Sequence, residues 1–142
     1  MYVGKARTLE EWADLYEKKT GEKFKPKNGV LFYLPDRGFA SFVAYKDMII
    51  ACQVCGDGLF WRHVAEIFAI ERGFHHLGAI CIRKNIKGYL RTFGWEITDE
   101  EVLYDKNIRY YFKDKFTGKK GRASPVKTTG KDYSPYYITW EV

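Results

Sequence analysis

Long apolar runs are missing from this chain of 142 residues, and nothing in it approaches the roughly 18 consecutive apolar residues that cross a bilayer as a helix. The first residues, Met1-Tyr2-Val3-Gly4-Lys5, lack the apolar core of a secretory signal and run straight into charge, so export by that route is not expected. Cysteine is scarce and odd in number. Three thiols cannot build the even disulfide framework of a small secreted scaffold, and they point to reduced thiols in a cytoplasm. Histidine is equally scarce: His63, His75, His76 and Cys81 are the only further Cys or His residues that could join Cys52 and Cys55 around zinc. No spacing among them matches a finger, so no metal is expected. The chain also lacks an internal repeat and any linker separating two domains, which leaves one domain over residues 1–142.

What is present favours a packed domain. Hydrophobic residues make up 46% and aromatics 18%, and the length suffices to bury a core without disulfides. Lys and Arg outnumber Asp and Glu by 24 to 18, giving +6 and a bias toward an anionic partner: a coenzyme, a nucleic acid or an acidic protein.

Thr8-Leu9-Glu10-Glu11 matches a capping box. Leu9, Trp12, Ala13 and Tyr16 follow at helical spacing, and Gly21 supplies a stop. The Trp12 and Tyr16 stripe reads as core and not as a pocket wall. Gly29 to Leu34, Phe39 to Tyr45 and Met48 to Val54 read as three strands of an antiparallel meander. A helix is expected from Leu59 to about Arg72, a short buried strand over 77–82, and a second helical stripe at Ile86, Tyr89, Leu90 and Phe93. The connection from the third strand to the fourth suits a parallel crossover. Val102 to Phe112 and Tyr136 to Val142 read as further strands, with a basic loop over 117–135 inserted before the last one.

Gln53-Val54-Cys55-Gly56-Asp57-Gly58 stands between the third strand and the helix. A glycine turn there lets backbone amides and the positive helix end face a phosphate. Asp57 would repel a pyrophosphate unless it turns outward to cap the helix. Cys52-x-x-Cys55 offers a rival thiol-redox reading. The glycines push the helix past both cysteines, so two buried core thiols fit better than a thioredoxin-like pair.

In element order, and in two motifs, the chain resembles the GNAT acetyltransferase superfamily. Gln53, Gly56 and Gly58 fill the family's pattern of Gln or Arg, two residues, Gly, one residue, then Gly or Ala. Tyr89-Leu90-Arg91-Thr92-Phe93-Gly94-Trp95 looks like its short helix ending in Gly-Phe. The resemblance, carried by about residues 45–97, implies an α/β domain with a mixed, mostly antiparallel sheet flanked by helices. It also implies acetyl-CoA with its pyrophosphate on amides from Val54 to Gly58, further contact at Asn85, and transfer of acetyl to an amine. Two positions depart from the pattern. Leu90 stands where the family often has a tyrosine that returns a proton to the thiolate, which leaves Tyr89 as the donor, and the third strand has no acid in its body to deprotonate an amine. The same helix also resembles acetyltransferase-like internal virion proteins of short-tailed phages. That keeps open an inactive binding or virion-assembly module, in host cytoplasm or virion, whose Lys119, Lys120, Arg122, Lys127 and Lys131 meet nucleic acid or an acidic protein. Tyr110, Tyr111, Phe112, Tyr133, Tyr136 and Tyr137 read as strand packing, with base stacking as the alternative.

Overall fold

A computed structural model describes residues 5–26, 29–81, 85–104, 106–126 and 135–142. The first helix, α1 (Leu9–Thr20), forms as its capping box dictates. Glu11 N–H donates to the Thr8 hydroxyl at 3.1 Å, Thr8 N–H donates to the Glu11 carboxylate at 3.0 Å, and Gly21 ends the helix at φ 71°. Next come β1 (Val30–Leu34), β2 (Gly38–Tyr45) and β3 (Met48–Gly56), the expected antiparallel meander. The second helix α2 (Gly58–Glu71) leads to β4 (His76–Cys81), which pairs with β3 in parallel, and α3 (Ile86–Thr92) follows. Ile82 lies outside the described residues.

The chain closes with β5 (Trp95–Val102), β6 (Ile108–Asp114), β7 (Lys120–Pro125) and β8 (Tyr136–Glu141). The sheet runs β1-β2-β3-β4-β8-β7-β6-β5, an open mixed α/β arrangement in which, among the described residues, β3 with β4 is the parallel pair and every other pair is antiparallel. Two expectations change. Val102 to Phe112 is not one strand: β5 ends at Val102, the chain turns with Lys106 at φ 70°, and β6 begins at Ile108. Nor is 117–135 a continuous loop, because Lys120–Pro125 is an interior strand between β6 and β8. β8 is interior as well, between β4 and β7.

Helices α2 and α3 pack on one face of the sheet over a core that includes Ile49, Trp61, Leu77, Leu90, Trp95 and Trp140. On the opposite face α1 covers β2 and β3 through a smaller cluster of Trp12, Tyr16, Phe39 and Cys55. A single irregularity lets β3 serve both. Ala51 pairs with Phe42 and Gln53 with Ser41, so Cys52 is an extra residue, a β-bulge. Before it, Ile49 and Ala51 point into the larger core; after it, Cys55 points to α1 and Val54 packs on the larger core. Among the described residues no helix is long and apolar enough to cross a membrane.

Candidate functional site

The parallel pairing of β3 with β4 extends from Met48 opposite His76 to Ala51 opposite Ala79 and then stops, while β3 runs on to Gly56 and β4 to Cys81. Between the separated ends lies a cleft of about 560 Å³, within the usual size of small-molecule sites. The bulge at Cys52 falls at the point of separation. Past it, among the described residues, β3 has no partner strand on its β4 side, so backbone hydrogen-bonding groups line the gap.

Of the residues singled out in the sequence, Gln53, Val54, Cys55, Gly56 and Gly58 line this cleft from β3 and the start of α2, and Asn85 and Tyr89 line it from α3. Asp57 does not. Its carboxylate accepts from Phe60 N–H at 3.2 Å, capping α2, and from the Arg37 guanidinium at 2.6 Å. The Arg37 carbonyl in turn accepts from Asp57 N–H at 2.9 Å and from the Trp61 indole at 2.8 Å. The charge that counted against an anion here is therefore turned away and paired. As first-turn donors of α2, the Gly58 and Leu59 amides have no carbonyl within their own helix to bond.

Each glycine of the motif also has a packing duty. Gly56 sits at φ +105°, opposite Gly38, and a Cβ on it would lie 2.1 Å from the Arg37 carbonyl oxygen. A Cβ on Gly58 would meet the tip of the Phe93 ring at 2.9 Å. Gln53 is likewise occupied. Buried against the segment that follows α1, its carboxamide accepts from Lys25 N–H at 2.9 Å and donates to the Lys23 carbonyl at 3.0 Å, so it clamps that segment to β3. Asn85 caps α3, its side-chain oxygen accepting from Gly88 N–H at 2.9 Å. Leu90 is fully buried in the core, and its neighbour Tyr89 faces the cleft with its ring centre 4.6 Å from that of Phe93.

The structure adds a pair that sequence reasoning missed. Tyr16, expected only as core, is buried and also lines the cleft, and its hydroxyl donates to the Glu22 carboxylate at 2.6 Å. Burial, reinforced by the Glu22 charge, pushes the Tyr16 phenol well up, so it stays a donor at any ordinary pH. Glu22 is the one carboxylate among the described lining residues, with Lys19 and Lys25 near it on the same wall. Tyr16 could have been suspected from its place in the last turns of the α1 stripe; Glu22, beyond the helix stop, carries no sequence signal.

Cys52, Cys55 and Cys81 all line the cleft, and Cys52 and Cys55 lie on β3, ahead of the helix and not in its first turn; Cys55 is a buried core thiol as expected, but Cys52, the bulge residue, is only partly buried. Among the described residues no three His, Cys, Asp or Glu side chains come together in a group able to hold a metal ion. Lys119, Lys120 and Arg122 lie on the β6–β7 hairpin away from the cleft lining, and Lys127, Lys131 and Tyr133 lie outside the described residues. Searches against protein-family models, curated proteins and solved structures gave no significant match.

Proposed function

We propose that the cleft binds a coenzyme A thioester and that the protein is an N-acetyltransferase of the GNAT kind, passing acetyl to an amine. The observation that carries this reading is the separation of two parallel strands into a cleft that gathers seven of the eight residues picked for coenzyme contact or catalysis. In this reading the extended pantetheine arm adds to the unpaired edge of β3 past Cys52 as a short strand would. Its pyrophosphate meets the α2 amides at Gly58 and Leu59. The amine approaches from the α1 side, where Glu22 takes its proton as nitrogen attacks the thioester carbonyl. Tyr89 returns a proton to the departing thiolate from the α3 side.

A second reading, binding without turnover as in a virion-assembly module, is favoured by one finding: Gln53, Gly56 and Gly58 all have structural duties independent of any ligand. Thermal unfolding with acetyl-CoA tests both. Coenzyme at one hundred times its dissociation constant should stabilise by about 2.7 kcal/mol, and no shift at millimolar coenzyme removes the cleft reading altogether. A shift without release of free thiol from any amine panel supports the module. If turnover is found, Glu22→Gln should lower kcat about 100-fold while leaving the coenzyme-induced shift in place.

A further inference from the structure

The helices leave half of the sheet bare on one side. α2 and α3 cover the face onto which Tyr110, Phe112, Ala123, Ile138 and Trp140 project, and on the other side α1 packs over β1, β2 and β3. Strand alternation therefore sends Tyr111 and Lys113 of β6, Lys120 and Arg122 of β7, and Tyr137 of β8 to a surface that no helix among the described residues covers. The register sets them in rows: Tyr111 lies opposite Arg122, which lies opposite Thr139, and Lys113 lies opposite Lys120.

We propose that this face binds single-stranded nucleic acid, independently of what the cleft holds. Lys113, Lys120 and Arg122 are exposed, and among the described residues none of them has a carboxylate within ion-pair distance. Three exposed cations without an ion pair on one sheet face can track phosphates, with Glu96, opposite Lys113, and Glu141, whose carboxylate accepts from Lys120 N–H at 3.2 Å, as acids on the same face. The two tyrosines among them are anchored by their hydroxyls, Tyr111 donating to Glu101 at 2.9 Å and Tyr137 reaching over Gly78 to the Met48 sulfur at 3.1 Å. Rings fixed at their tips, Tyr111 with Arg122 opposite it, offer stacking platforms to unpaired bases, which an acidic peptide would not use. Among the described residues this face carries no helix to enter the major groove of a duplex. Its outer border is the edge strand β5, which turns Glu96, Asp99 and Glu101 to this face and would confine a polyanion to β6, β7 and β8.

The test is fluorescence anisotropy with labelled fifteen-nucleotide oligo-dT on the full chain. Three phosphate contacts should weaken binding about 20-fold between 50 and 200 mM salt. The double substitution Lys120→Glu with Arg122→Glu should reduce affinity at least about tenfold, and Lys113→Glu, on the neighbouring strand, should act in the same direction if the double variant does not fold. Tyr111→Leu should weaken binding about tenfold without changing the salt slope. Unlabelled polyglutamate competing as well as oligo-dT would reassign the surface to an acidic protein. Equal preference for a duplex, or unchanged affinity in Tyr111→Leu, would overturn the proposal.

Discussion

At the β3–β4 junction two parallel strands share pairing from Met48 to Ala51 and then part, whereas from β8 to β5 neighbouring antiparallel strands stay paired along most of their length. Where they part, the gap stays open and polar groups around it are held from behind: Gln53 by the backbone of Lys23 and Lys25, Asn85 by its own helix, Tyr16 by Glu22. Where the strands stay paired, the space under them is filled. Arg62 of α2 is buried there with its guanidinium 3.6 Å from the Trp95 ring centre. It donates to the Asp114 carboxylate at 2.5 Å and to the Phe93 carbonyl at 2.6 Å, and so ties α2, the end of α3 and the β6–β7 hairpin together. Glu66 completes the group, accepting from Arg62 and from the Trp140 indole. The contrast separates two uses of one sheet: an open site needs its polar groups immobilised by contacts outside it, and the closed half supplies the rigidity that lets the other half stay open.

That contrast breaks first at Arg62. Arg62→Ala strands Asp114 as a buried carboxylate without its cation and should cost about 3–5 kcal/mol in urea unfolding; a loss below about 1 kcal/mol would mean the closed half does not depend on the ion pair. The same pair sets a pH dependence. Burial alone would raise the Asp114 carboxyl, but Arg62 and the amides of Phe116 and Thr117 outweigh it and hold the group below its ordinary value. Its stabilisation is therefore complete above about pH 5 and is lost as acid protonates the folded carboxylate. Asp114→Asn should flatten the acid limb of a stability-against-pH curve.

The glycine motif sharpens the comparison at a smaller scale. Gly56→Ala combines a positive φ with a backbone clash and should cost on the order of 2–3 kcal/mol. Gly58→Ala meets only the tip of the Phe93 side chain, not backbone, and should cost less than about 1 kcal/mol in thermal unfolding. Equal losses would show that the turn is uniformly rigid. Smallest globally is Gln53→Ala, about 1 kcal/mol, but hydrogen exchange at the Lys25 amide should accelerate strongly, and an unchanged rate there would rule out the clamp.

The sequence made the helices and the meander legible because their signals are local: a capping box, helical stripes, glycine stops. β7 was hidden because Lys120–Pro125 turns only Gly121 and Ala123 toward the core, where the Phe112 ring leaves no room for more; a Cβ on Gly121 would lie 2.4 Å from it. β5 was obscured by Asp99, Glu100 and Glu101, poor strand formers that suit an exposed edge. At the site, the motif residues on β3 and α3 could be read from spacing. Glu22 could not, and Tyr16 was legible only as a member of the α1 stripe, because both reach the cleft through the packing of α1 on the opposite face. Nor could the outward turn of Asp57 be tied to a partner before Arg37 was placed beside it.

The extra residue at Cys52 decides which way the cleft end of β3 faces. Ala51 and Gln53 pair with Phe42 and Ser41 as successive partners, so excising Cys52 would leave Gln53 facing α1 and Val54 facing α2 and would remove only the bulge where β3 and β4 part. Ironing the bulge out with Cys52 kept in the ladder would instead invert that wall, turning Gln53 toward α2 and Val54 toward α1. The strand therefore tolerates the loss of this residue better than its regularisation.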